Sequence, residues 1–74
     1  MEEQKIISSN IMIVAVFDAI WFTPNKKQKK IVADIIADTE FSSMEKANLI
    51  CENLHIEKRG NRSAIYKLLE MAKH

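Results

Sequence analysis

Seventy-four residues with 11 Lys/Arg against 10 Asp/Glu, a net charge of +1, allow one domain near the lower size limit for a core that folds unaided. The near balance of charge excludes a strongly basic chain built for tight non-specific nucleic-acid binding. One Gly and one Pro exclude the many tight turns of a sandwich or barrel, and a lone Cys51 excludes an intramolecular disulfide and points to the cytosol.

The first helix is predicted over residues 4–22, after a polar start at Met1 to Lys5. Its heart, Ile11 to Phe22, is almost continuously apolar, with Asp18 as the one acid inside it. That run is short of the roughly 20 apolar residues a bilayer span takes. The acidic Met1-Glu2-Glu3, and the lack of a small-residue cleavage site after Phe22, argue against a signal peptide. Ile, Val and Phe also favour strands, and so short a run cannot be assigned by periodicity alone. Helix is favoured because the apolar pattern reaches back to Ile6 and Ile7 without a turn signal. Asn10 and Asp18 also fall within about 80° of each other around a helix, leaving the rest of the circumference apolar. Such a helix needs protein on most sides. The other helices can cover part of it and a second copy the rest, so a homodimer or higher oligomer is expected, with Ile11, Val14, Phe17, Asp18 and Trp21 at the interface. Trp21 and Phe22, beside Pro24, read first as core and otherwise as a partner-binding hot spot.

Thr23-Pro24 ends the first helix and opens the second, with Thr23 as N-cap and Pro24 at the first helical position. The second helix runs to about Asp38 on a stripe of Ile31, Val32, Ile35 and Ile36. Lys26, Lys27, Lys29 and Lys30 crowd its start, where cations oppose the macrodipole by a few tenths of a kcal/mol each; a Lys30–Asp34 pair would offset this in part. The cluster reads as a solvated face or as a docking surface for phosphates or an acidic partner. Phe41 is expected to tuck into the core from the connector. Ser42 and Glu45 fit a capping box opening a third helix from Ser43 to His55, with Met44, Ala47, Ile50, Cys51 and Leu54 on its apolar face. Glu57 to Asn61 is the most loop-like stretch, with Gly60 at positive φ. Asn61 or Ser63 then caps a fourth helix to about Ala72, with Ile65, Leu68, Leu69 and Ala72 inward and Tyr66 at the margin.

The second to fourth helices, from Thr23 to Lys73, resemble a tri-helical helix-turn-helix DNA-binding domain. Phe22-Thr23-Pro24, the lysines and Ile31-Val32 with Ile35 look like its first helix. Ile50 to Ile56 looks like its scaffold helix, and Arg62-Ser63-Ala64-Ile65-Tyr66-Lys67-Leu68-Leu69 looks like its recognition helix. The link between the last two is longer than the usual three or four residues and lacks a glycine near His55. The resemblance implies a recognition helix in the major groove, with Arg59, Arg62, Ser63 and Lys67 as nucleic-acid contacts. Lys26, Lys27, Lys29 and Lys30 would add electrostatic contacts to it.

No metal site is expected, since Cys51, His55 and His74 offer no ligand spacing. No cofactor or enzymatic activity is expected either, because a Cys51–His55 pair has no orienting acid or oxyanion loop to work with. The chain therefore reads as an all-α, four-helix single domain over residues 1–74, with a central apolar N-terminal helix and a helix-turn-helix-like remainder. The leading expectation is a small cytoplasmic regulator of bacterial or phage type that binds duplex DNA as a dimer. The alternative is an adaptor or inhibitor acting on a partner protein without nucleic-acid contact.

Overall fold

The computed structural model describes the backbone of residues 2–72 and the side chains of residues 11–72. The expected elements all form: α1 (Glu2–Ala19), α2 (Lys26–Ala37), α3 (Ser43–Leu54) and α4 (Asn61–Ala72). The protein is all-α, with no strand among the described residues. Each helix packs on its neighbour in sequence, and α4 closes back on α1 to complete a ring. The diagonal pairs, α1 with α3 and α2 with α4, do not bring their described backbones together.

The core is filled from every helix. Val16 and Phe17 come from α1, Ile20 from the turn that follows it, Val32 from α2, Ala47, Ile50, Cys51 and Leu54 from α3, and Ile65 and Leu69 from α4. The α3 set recurs at three- and four-residue intervals, which puts all of it on one helix face. Met44, expected on that face, is 41% exposed. Phe41 likewise stays at the surface, in a bend between α2 and α3. Two polar contacts pin one junction of the ring. Lys46 Nζ donates to the Ile36 carbonyl at 2.7 Å, and Ser43 Oγ, in a buried residue, donates to Glu70 Oε2. They hold the end of α2, the start of α3 and the end of α4 together.

The helix ends explain where the expected boundaries move. Ser42 and Glu45 form the expected capping box. For α2 the cap is Asn25 rather than Thr23: its side chain accepts from the Gln28 N–H at 2.8 Å, and Gln28 Oε1 accepts from the Asn25 N–H at 2.9 Å. That reciprocal pair satisfies two otherwise orphaned donors, so Thr23 and Pro24 remain in the connector. Asn61 does not cap α4 as an acceptor either, for its Nδ2 donates to the Glu57 carbonyl at 2.9 Å. The start of α4 is instead set by Gly60, at φ 80, whose carbonyl accepts from the Ala64 N–H.

α1 stops short of Phe22 because of a left-handed closure. Phe22 N–H reaches back to the Phe17 carbonyl at 3.0 Å and Trp21 N–H to the Asp18 carbonyl at 3.2 Å. This is the Schellman pattern, and it needs one residue with positive φ, usually Gly. Trp21 takes that place at φ 54. The accompanying apolar contact is a stack of the Phe17 and Phe22 rings, with centroids 5.9 Å apart. α3 ends the same way: Ile56 N–H donates to the Cys51 carbonyl, His55 N–H to the Glu52 carbonyl, and His55 sits at φ 57.

A side chain wholly removed from solvent in so small a core has no neighbour able to fill the space it leaves. Ile65→Ala is therefore expected to lower stability by about 2–5 kcal/mol. A urea melt followed by circular dichroism checks this, and a midpoint unchanged from wild type would show that α4 is not seated as described.

Candidate functional site

The uncovered part of the molecule begins on α1. Phe17 faces the core, 4% exposed, because it closes the helix end against Phe22. Most of its ring is thus withdrawn from the surface, and what remains lines the groove described below. The other four residues of the expected interface, Ile11, Val14, Asp18 and Trp21, stay at the surface. Ile11 is 63% exposed, Val14 60% and Trp21 95%. Ile11, Val14 and Asp18 recur at intervals of three and four, so they share one stripe of the helix. Trp21 continues that stripe just past the helix end.

Trp21 is the most unusual residue of the chain. A bulky side chain at positive φ is an outlier, and left-handed geometry disfavours a non-glycine residue by about 1–2 kcal/mol. Histidine, as at His55, is among the residues enriched there. The indole also gains little from burial, since almost all of it lies in water. It is not core. A strained, exposed aromatic of this kind points to a role outside the fold.

Beside the stripe runs a groove of about 590 Å³ between α1 and α2. Ile13, Val14 and Phe17 form one wall, Phe22 and Pro24 close one end, and Ala33 lies on the α2 side with Lys29 and Lys30 at the rim. A second hollow, of about 400 Å³, shares Phe17, Asp18, Phe22 and Thr23 with the first and reaches Trp21. Stripe, groove and indole are therefore one continuous surface.

The α2 lysines belong to that surface. Lys26, Lys29 and Lys30 project on the side of α2 that carries Ala33, while Lys27 is turned about 100° from Lys26. No acid stands in the first turn of α2. None of the four lysines makes an ion pair among the described residues, and Lys30 and Asp34 do not meet. The other expected basic set, Arg59, Arg62, Ser63 and Lys67, is exposed around the start of α4. It stands on the helix diagonal to α2, so the two sets do not occupy adjoining helices. Lys58, beside it, pairs with Glu52 at 2.8 Å on the surface.

Cys51 offers no nucleophile. It is completely buried, and burial pushes its thiol above the ordinary value against the opposing fields of Lys58 and Arg62. The neutral thiol is the unreactive form. His55 is exposed on the left-handed turn, and His74 lies outside the described residues. Among the described residues no group of His, Cys, Asp and Glu is placed to hold a metal ion, and no helix is long and apolar enough to cross a membrane.

A four-helix ring with an exposed apolar stripe on α1 is the class of architecture defined here. No known family profile, curated protein or solved structure matches the chain.

The left-handed geometry of Trp21 and His55, unlike that of Gly60, is not among the expectations from the sequence, although the sequence holds a signal for it. Phe17 with Phe22, and Cys51 with Ile56, are apolar pairs five residues apart at a helix end, the spacing that a Schellman closure brings together. If Trp21 is retained at the expense of the fold, Trp21→Gly should stabilise the isolated protein by about 1 kcal/mol, raising Tm by about 4–8 °C. A thermal melt reads this directly, and a lowered Tm would mean that the indole supports the fold.

Proposed function

We propose that the chain is a protein-binding module, an adaptor or inhibitor, that receives a partner on the exposed stripe of α1 and the adjoining groove. The observation that carries this reading is Trp21, held in left-handed geometry with its ring 95% exposed at the end of an apolar surface. Tryptophan is the residue most enriched among binding hot spots, where its strength depends on a surrounding apolar patch that excludes water. Ile11, Val14 and the groove supply such a patch. The near-neutral charge suits a protein partner, because it neither drives nor opposes association over long range.

A second reading is favoured by a different observation. Arg59, Arg62, Ser63 and Lys67 all lie exposed about the first turns of α4, where cations and free backbone N–H groups suit phosphate. In that reading α4 enters duplex DNA and α1 joins two copies. It ranks second because the link from His55 to Gly60 is long for a helix-turn-helix, and because α2 and α4 stand apart across the ring.

Two sets of variants separate the readings. Val14→Glu and Trp21→Ala should abolish capture of a partner protein from a lysate of the source cells, while Arg59→Ala with Arg62→Ala leaves capture intact. A labelled generic DNA duplex, followed by fluorescence anisotropy at two salt concentrations, should show no binding that the arginine variant alters. Binding that falls steeply with salt and disappears in the Arg59→Ala/Arg62→Ala variant would transfer the function to α4.

A further inference from the structure

The groove specifies more about its occupant than that it is a protein. We infer that it takes an amphipathic helix carrying Asp or Glu beside its apolar anchors. This rests on the protein-binding reading above and adds the shape and charge of the partner segment.

The shape follows from the walls. α1 and α2 pack against each other, and the seam between them is open on the side of Val14 and Lys29. A seam between two helices presents ridges and grooves that a third helix fills by the same interdigitation that packs helices elsewhere. From Ile11 to Trp21 the uncovered stripe extends about 15 Å along the axis, close to three helical turns. That matches a partner helix with anchors at one position and three, four and seven residues on, the common pattern for a helix laid in a groove. The two hollows, joined through Phe17 and Phe22, give those anchors adjacent apolar sites.

The charge follows from α2. Lys29 and Lys30 line the groove, and Lys26 lies one turn before them on the same side of α2, all without an acidic partner among the described residues. They sit at a helix start, where the macrodipole already disfavours cations, and the first turn contains no acid. Carboxylates from a docked helix would answer both the lysines and the dipole. Asp18 on the opposite rim is the lone acid of the surface and favours a partner whose two flanks differ, acidic toward α2 and neutral or basic toward α1. A second copy of this chain fits less well. It would bring its own lysines to the seam, and the described part of its α1 stripe offers Asp18 as the sole acid.

The test is selection from a displayed library of helical peptides, with Leu fixed at the first, fifth and eighth positions and the flanking positions randomised. The immobilised protein is the full chain. Selected peptides should be rich in Asp and Glu along one flank and should lose binding to Trp21→Ala and Val14→Glu. Lys29→Glu with Lys30→Glu should weaken the acidic peptides about tenfold and favour basic ones. Those lysines are exposed, and acids at a helix start suit the dipole, so the variant keeps its fold. Peptides that bind the groove but are neutral or basic would overturn the acidic-helix assignment and leave the protein-binding reading standing. Peptides insensitive to Trp21→Ala and Val14→Glu, or none at all, would remove both. Sedimentation equilibrium supplies the last outcome: a stable dimer lost in Val14→Glu would make a second copy the occupant and overturn the proposal.

Discussion

The hydrogen bond from Phe22 N–H to the Phe17 carbonyl is the contact on which the exposed surface depends. It ends α1, turns the chain toward α2, and stacks two phenylalanine rings as it does so. The turn that brings α2 alongside α1 also opens the groove between them. The same closure requires positive φ at the intervening residue, and the chain places tryptophan there. The wall, the end and the most exposed aromatic of the surface thus share one local origin. A glycine at Trp21 would satisfy the backbone and remove the aromatic.

The size of the chain explains why α1 stays half-covered. Its partners in the ring are α2 and α4, and both also face α3. α3 buries four apolar side chains, including the fully enclosed Ile50 and Cys51, because they share the single face that meets the core. α1 is longer than the others and apolar on more of its circumference, so two shorter neighbours leave a stripe of it in water. On the proposed reading, this exposed apolar surface is where a partner completes the burial. The α2 lysines lie on the adjoining edge, where in that reading they would add charge selectivity to an otherwise non-directional attraction.

Much of the architecture was legible in the residues. Periodicity and caps are local properties, and the sequence by itself determined what depends on them. Ser42 with Glu45, the 47-50-51-54 face of α3, the Ile65 and Leu69 positions of α4 and the left-handed Gly60 all follow from neighbours within a turn or two. Asn25 with Gln28 is equally local, but it was overlooked in favour of the stronger Thr-Pro signal beside it. Only the tertiary structure decided which side of α1 is covered, because that depends on the ring formed with α2 and α4. It drew Val16 inward and left Val14 outside, although both lie in the same apolar run. It also set the α2 lysines beside α1 and across the ring from the basic start of α4. The physical reason is that a local pattern states which faces are apolar, whereas only the crossing of helices distant in sequence states which of those faces find a partner.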